Sequence, residues 1–246
     1  MNPRFALRPY RSFFGLFSLL CLLLFPCPSR AEVMAVAAGI APAVEEALAL
    51  HVAGGGIPLE MVTGSCTALA RQIAAEAPYG MALFSEPRWP RWLEERGLLK
   101  ESVPFALGKL ALWWPQSDRI VDLTVLPWPL ALPDPETTAY GFLGKEYLQE
   151  RGLWKKMEKE ERFLIVANAP ACVLAVKSGA AAAALVPVGT EIKAGGSIAV
   201  IAGKTTEMVA GLLPSAGPDS RSFLAYCLSA EAAPVWRRWG FEVTGR

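Results

Sequence analysis

Three small polar side chains stand side by side at Ser65, Cys66 and Thr67, within the stretch "TGSCTALARQIAAEAP". The residues before them form an apolar run typical of a strand, and the residues after them repeat apolar positions at helical spacing. A strand-to-helix junction leaves the N–H groups of the first helical turn unpaired, and such groups bind anions. The hydroxyls of Ser65 and Thr67 fit ligand contact and helix capping equally well, so both interpretations stay open.

Cys66 raises the possibility of catalysis, because a thiol at a helix start can have a lowered pKa and act as a nucleophile. The sequence places no histidine to assist it, since His51 is the single histidine of the chain. Cys172 and Cys227 lie in apolar helical patterns typical of buried cysteines, and the spacing of the three matches no metal motif. We therefore expect no enzyme activity, no cofactor and no metal-cation site. Whether Cys172 and Cys227 form a disulfide stays open.

The first 31 residues have the three parts of a secretory signal peptide. Arginines at positions 4, 8 and 11 precede the apolar stretch "FFGLFSLLCLLLF", which is too short to span a membrane as a helix. Ser29 and Ala31 supply the small residues of a cleavage site, so we predict cleavage after Ala31 and a periplasmic protein. Acylation of Cys21 or Cys27 is a less favoured alternative, because neither follows the small residue that lipidation requires.

The composition of the remaining chain excludes several partners. Removal of residues 1–31 leaves 20 basic against 23 acidic residues, a net charge of −3. Such a chain has no electrostatic attraction for nucleic acid or for an anionic membrane. With 53% hydrophobic residues it can bury a large core, and we expect it to be a monomer.

Apolar runs of strand length alternate with helical patterns, which predicts an α/β fold with mostly parallel sheets flanked by helices. Strands are predicted over 32–38, 58–64, 79–85, 109–115, 162–167, 180–189 and 198–203, and helices over 41–53, 67–77, 86–99, 142–157, 169–179, 219–229 and 231–241. We predict two lobes, one formed by 32–112 plus 205–246 and one by 113–204, with a ligand cleft between them. Such sheets bind ligands beyond the carboxyl ends of their strands.

Four segments carry a family resemblance. The stretches "VMAVAAGIAPAVEEAL", "TALARQIAAEAPYGMALFSEPRW", "LALPDPETTAYGFLGKEYLQERGLW" and "FLAYCLSAEAAPVWRRWGF" are similar, in this order, to segments of the periplasmic molybdate-binding proteins of ABC transporters. The resemblance covers nearly all of the chain after residue 31. It implies a type II periplasmic binding fold, in which two α/β lobes close on a tetrahedral oxyanion.

The resemblance also implies where the ligand binds, and there this chain departs from the pattern. The family holds its anion with two serine hydroxyls, a tyrosine hydroxyl and backbone N–H groups. The three hydroxyl positions fall on Gly39, Cys66 and Pro187, which carry no hydroxyl, whereas the two positions that donate only N–H fall on Tyr140 and Ala169. Ser65, Thr67, Thr137, Thr138 and the Tyr140 phenol are nearby hydroxyls that could replace the lost ones, although capping is the favoured role for Thr137 and Thr138.

The resemblance therefore favours an extracytoplasmic solute-binding protein that delivers a molybdate- or tungstate-type oxyanion to an ABC permease. One alternative keeps the fold and binds a larger or softer ligand, because Gly39 and Pro187 open space while Cys66 offers sulfur. Another alternative is a sensing or interaction module that no longer serves transport. It would use exposed tryptophans, for which core packing is the favoured role; the candidates are Trp89, Trp92, Trp113, Trp114 and Trp128.

Overall fold

The structure is a computed structural model that describes residues 31–115 and 128–244. The predicted signal peptide, apart from Ala31, lies outside the described residues. Glu32–Arg246 forms one compact unit. The described strands are β1 Val33–Ala37, β2 Glu60–Gly64, β3 Tyr79–Phe84, β4 Lys100–Trp114, β5 Leu130–Pro133, β6 Phe163–Val166, β7 Ala183–Pro187, β8 Ser197–Leu212 and β9 Glu242–Val243. The described helices are α1 Ala41–Ala53, α2 Cys66–Ala74, α3 Arg88–Glu94, α4 Ala139–Glu150, α5 Trp154–Lys159, α6 Ala169–Lys177, α7 Thr190–Ala194, α8 Pro218–Cys227 and α9 Ala233–Arg238.

The strands form one mixed sheet in the order β2-β1-β3-β8-β4-β7-β5-β6, with β9 paired to β4. The pairs β1 with β2, β1 with β3, β5 with β6 and β5 with β7 are parallel, as the alternation of strands and helices predicts. The pairs that involve β4 or β8 are antiparallel. The predicted α/β fold is confirmed, but the sheet is mixed rather than mostly parallel.

Two long strands, β4 and β8, join the two halves of the sheet. They pair along their length, from Lys100 opposite Leu212 to Trp114 opposite Ser197, with register shifts in between. The lobe limits predicted at 112/113 and 204/205 fall inside these two strands. Lys204 of β8 is buried and forms ion pairs with Glu146 at 2.7 Å and Glu150 at 2.6 Å, which fasten α4 to the long strands.

Several elements differ from the sequence prediction. β4 and β8 are longer than the predicted strands, because polar residues of both strands continue the ladder beyond the apolar runs. β5 was not predicted, since its four residues stand in a proline-rich stretch. The helix predicted over 142–157 is two helices, because Gly152 has φ 67° and ends the first of them in the left-handed region that favours glycine.

The hydrophobic core consists of two clusters of buried residues. The larger one contains residues from both halves of the sheet, Phe84 of β3 and Leu132 of β5 among them. The smaller one surrounds Trp113, whose indole N–H donates to the carbonyl of Gly195 at 2.7 Å. Cys172 lies in the smaller cluster and Cys227 in the larger, and both are free thiols.

Within the described residues, no helix is long and apolar enough to cross a membrane.

Candidate ligand-binding site

Three helices begin at one place in the fold, and each start is capped by the residue before it. The side chain of Ser65 accepts the N–H of Ala68 at the start of α2. Thr138 caps α4 and Asn168 caps α6 in the same way, each accepting the N–H three residues later. In each helix the capping side chain accepts the N–H group of the third helical residue. Among the described residues, the backbone N–H groups that precede it in the first turn stay without a partner.

These helix starts surround a small cavity in which about 20 Å³ is free, room for roughly one water molecule. Its walls come from the loop after β1, the starts of α2, α4 and α6, and the ends of β3 and β5. The lining residues are Ala37, Ala38, Gly39, Gly64, Ser65, Cys66, Ser85, Pro133, Thr138, Ala139, Tyr140, Asn168 and Ala169.

Backbone N–H groups are the main polar feature of this cavity. In the described part of the chain, several lining residues have N–H groups without a hydrogen-bond acceptor, and five of them lie at the first helical turns or after β1. Four of the five belong to first helical turns and one follows β1, and helix N-termini carry partial positive charge. They are Gly39, Cys66, Ala139, Tyr140 and Ala169.

Cys66 is buried in the wall, and its sulfur lies 3.4 Å from the hydroxyl oxygen of Ser85. Burial raises the pKa of the Cys66 thiol to about 12, and the nearby Glu86 carboxylate adds to this rise. The hydrogen bonds from Ser85 oppose the rise without reversing it. The pKa of this buried thiol is therefore shifted upward, opposite to the lowered pKa that a reactive cysteine at a helix start would have.

Charged groups stand next to the cavity. The Glu86 carboxylate is buried, and burial raises its pKa. The Arg88 guanidinium lies 3.4 Å from one oxygen of that carboxylate, while the other oxygen has no hydrogen-bond partner. A neutral Glu86 removes a repulsive charge from an anion in the cavity, and Arg88 offsets the charge of an ionised one.

The Tyr140 side chain fills the space beside Gly39. A β-carbon added at Gly39 would lie 3.2 Å from two ring carbons of Tyr140, so the ring packs where a side chain would otherwise stand. The Tyr140 hydroxyl reaches Gly108 of β4 and has no hydrogen-bond partner, although it is buried. Burial raises the pKa of this phenol, so it stays protonated.

The structure brings five of the seven predicted site residues to this cavity: Gly39, Ser65, Cys66, Tyr140 and Ala169. Thr67 does not line it, because its hydroxyl donates to the carbonyl of Thr137 at 3.2 Å. Pro187 lies in an adjoining pocket that also touches Gly39 and Ala169. The Thr137 hydroxyl donates to the Asp134 carboxylate at 2.9 Å and is therefore engaged in a hydrogen bond within the protein.

Ser85 lines the cavity and was not predicted as a site residue. The signal was present in the sequence, because Ser85 ends a predicted strand and the carboxyl ends of parallel strands meet at the ligand site. Pro133, at the end of β5, was missed for a different reason, since β5 itself was not predicted.

Comparison with protein families identifies the chain. Residues 33–242 match the family described as bacterial extracellular solute-binding protein. The chain belongs to this family. No curated protein matches this solute-binding protein.

Solved structures of periplasmic and other binding proteins share its fold. The periplasmic molybdate-binding protein of Azotobacter vinelandii is similar with a TM-score of 0.81 at 20% identity, covering 87% of this chain and 100% of that one. The sulfate-binding protein SubI of Mycobacterium tuberculosis has a TM-score of 0.70 at 14% identity, covering 86% of each chain. PEB3 bound to L-phospholactate has a TM-score of 0.67 at 11% identity, covering 86% of this chain and 99% of that one, and PEB3 comes from Campylobacter jejuni. At these identities the likeness shows the periplasmic-binding fold.

Proposed function

We propose that this solute-binding protein is the periplasmic component of an ABC transporter, secreted through a cleaved signal peptide. In this proposal it binds a tetrahedral oxyanion, for which molybdate and tungstate are the first candidates, and delivers it to a permease. The observation that carries the proposal is the set of unpaired N–H groups at one cavity, from the starts of α2, α4 and α6 and from Gly39.

The similar structures support an anionic ligand. Three of these proteins bind oxyanions: the molybdate-binding protein, the sulfate-binding protein and PEB3 with its L-phospholactate. Helix N-termini that converge on a cavity suit such ligands, because their N–H groups donate to the oxygens and their dipoles favour negative charge. The small free volume of the cavity requires the walls to separate when an oxyanion enters.

Hydroxyl groups supply the second part of the site. The resemblance implies three hydroxyl donors at positions where this chain has Gly39, Cys66 and Pro187, and three lost hydrogen bonds to a charged group are worth about 4–9 kcal/mol. Two hydroxyls that line the cavity, Ser65 and Ser85, can donate to a ligand while keeping their present contacts. We therefore expect weaker binding of molybdate than a site with all three family hydroxyls would give.

The proposal for an interaction module finds less support. Trp113 is fully buried, and Trp89, Trp92 and Trp114 pack against the larger core cluster. Of the five tryptophans considered, Trp128 alone is exposed, with 37% of its surface accessible. These side chains stabilise the fold and leave little aromatic surface for a partner.

Isothermal titration calorimetry on residues 32–246 tests the proposed ligand class. We expect saturable binding with one site per chain for at least one of molybdate, tungstate, sulfate and phosphate. Chloride at equal ionic strength is the control for general salt effects. The absence of binding heat with all four oxyanions at millimolar concentration would contradict the proposal.

A further inference from the structure

A second, larger cavity adjoins the oxyanion cavity. We name it the lateral pocket; its free volume is about 250 Å³, more than ten times the 20 Å³ of the oxyanion cavity. The two cavities share three wall residues, Ala38, Gly39 and Ala169. Two of these, Gly39 and Ala169, carry unpaired N–H groups. A ligand held at those groups therefore lies at the boundary with the lateral pocket.

The lateral pocket has mainly apolar walls. The apolar side chains that line it include those of Pro42, Pro170, Val173, Pro187, Ala194 and Trp239. The hydroxyl of Thr190, also in the wall, is engaged, because it donates to the carbonyl of Pro187 at 2.7 Å. Apolar walls of this kind bind an apolar group and offer few hydrogen bonds to a polar one.

The charges at the lateral pocket have one sign. Lys177 and Lys193 line it, and no carboxylate is among its lining residues in the described part of the chain. Lys193 forms an exposed ion pair with Glu45 at 2.9 Å. Glu45 offsets the charge of Lys193, whereas Lys177 favours an anionic ligand over a cationic one, in agreement with the unpaired N–H groups of the adjoining oxyanion cavity.

Gly39 lies where the two cavities meet, between Tyr140 and Pro187. A β-carbon added there would lie 3.2 Å from the Tyr140 ring, which lines the oxyanion cavity, and 3.8 Å from the Pro187 ring, which lines the lateral pocket. A side chain at position 39 would therefore crowd the boundary that the two cavities share.

From this geometry we infer that the protein binds an organic oxyanion, in which one oxygen of the tetrahedral group is replaced by an apolar substituent. The chemical class is that of alkyl- and aryl-phosphonates, sulfonates and phosphate monoesters. The inference rests on the proposed function, because the remaining oxygens occupy the oxyanion cavity and the substituent occupies the lateral pocket. The substituent then lies between α6 and the residues around Pro187.

A series of phosphonates tests this inference by calorimetry on residues 32–246. The probes are inorganic phosphate, methylphosphonate, propylphosphonate and phenylphosphonate. We expect affinity to rise from methyl- to propylphosphonate by up to about fourfold per methylene, the gain from burying one such group. An affinity that stays flat or falls along the series, with phosphate still bound, would overturn this inference and leave the proposed function standing. If no phosphonate bound, this inference would fail, and the proposed function would fail with it only if molybdate, tungstate, sulfate and phosphate all gave no binding heat either.

Two neighbouring tryptophan substitutions locate the substituent. Val173→Trp fills the lateral pocket, and we expect it to lower propylphosphonate affinity at least tenfold while phosphate affinity changes less than twofold. Leu174→Trp is the matched control, because Leu174 is the next residue of α6, is 69% exposed and lies outside the lateral pocket. Equal losses for both ligands in V173W, or equal effects of the two substitutions, would overturn the inference. If V173W did not fold, the wild-type series would decide the question alone.

Discussion

Cys66 combines a favourable backbone with an unfavourable side chain for an oxyanion. Its N–H is unpaired at the start of α2, and its thiol lines the same cavity. A thiol donates a much weaker hydrogen bond than a hydroxyl. Its raised pKa keeps it protonated, so it does not repel an anion as a thiolate would. The side chain is therefore compatible with an anion and contributes little to binding it.

Substitution Cys66→Ser is expected to strengthen oxyanion binding by roughly tenfold or more, because a hydrogen bond to a charged group is worth about 1.5–3 kcal/mol. Calorimetry with molybdate or sulfate measures the change. Cys172→Ser is the control, since Cys172 is also buried but lies in the smaller core cluster away from the cavity. Unchanged or weaker binding by C66S would show that position 66 does not face the ligand.

The buried hydroxyl of Tyr140 lowers the stability of the folded state. Because this group is buried without a partner, Tyr140→Phe should raise the free energy of unfolding by about 1 kcal/mol. Tyr79→Phe provides the opposite case, because the Tyr79 hydroxyl donates to Gln72 at 2.7 Å and its loss should lower stability by about 1 kcal/mol. Urea unfolding of both variants measures the difference. A marked loss of stability in Y140F would mean that its hydroxyl has a partner after all.

At the scale of elements, the first turns of α2, α4 and α6 make the site. Their caps are ordinary, since Ser65, Thr138 and Asn168 are preferred residue types at helix starts. These helices form a site because all three begin at one cavity. The long strands β4 and β8 bring the helix starts together. β3 pairs with β8 and β7 pairs with β4 from opposite directions, so the carboxyl ends of the strands in both halves of the sheet point towards the middle of β4 and β8.

A single N–H group can be removed at α6. Ala169 is the first residue of that helix, where proline is tolerated, and Asn168 before it is extended as a residue preceding proline requires. Ala169→Pro should weaken oxyanion binding about tenfold with little change in stability. Ala169→Gly keeps the N–H and should bind like the wild type. Equal affinities of the two variants in calorimetry would exclude this N–H from the site.

The residue after the predicted cleavage site anchors α8. The Glu32 carboxylate accepts the N–H groups of Gly217, Asp219 and Ser220 at 3.0–3.2 Å. Burial raises the pKa of Glu32, but the hydrogen bonds, with Ser220 first among them, outweigh burial and lower it below its ordinary value of 4.5. A lowered pKa stabilises the folded state above pH 4.5, and this stabilisation is lost as the pH falls through the native pKa.

Glu32→Ala should therefore lower the free energy of unfolding by about 1–2 kcal/mol at pH 7. The difference from wild type should shrink as the pH is lowered from 5 towards 3. Urea unfolding across this range measures it, with Glu60→Ala, an exposed carboxylate on β2, as the control. A difference that did not depend on pH would contradict the role given to the Glu32 charge.

The elements also show what the sequence can and cannot predict. Alternating patterns predicted most strands and helices, and capping was the favoured role for Thr138, which caps α4. The long antiparallel pairing of β4 with β8 has no local signal, because a strand's partner depends on the whole chain. β5 was missed since four residues between prolines resemble a loop. Ser85 was missed although its place at the end of a predicted strand signalled it, and its contact with Cys66 joins residues 19 positions apart.

At the scale of the molecule, β4 and β8 connect the two halves of the sheet while the cavity draws its walls from both. The hydroxyl of Thr67 in α2 donates to the carbonyl of Thr137 before α4, which ties the two sides together beside the cavity. A ligand that accepts hydrogen bonds from N–H groups of both sides adds a second connection between them. Binding of the proposed ligand should therefore stabilise the molecule as a whole.

The central claim is that unpaired N–H groups from both halves of the sheet bind one oxyanion. Backbone amide NMR of ¹⁵N-labelled residues 32–246, titrated with the tightest-binding oxyanion, tests it most directly. We predict that the amide signals of Gly39, Cys66, Ala139, Tyr140 and Ala169 shift most, in one saturable process. Amides at the starts of α8 and α9 serve as internal controls and should stay near their initial positions. Saturable shifts confined to other surfaces, with these five signals unmoved, would contradict the account.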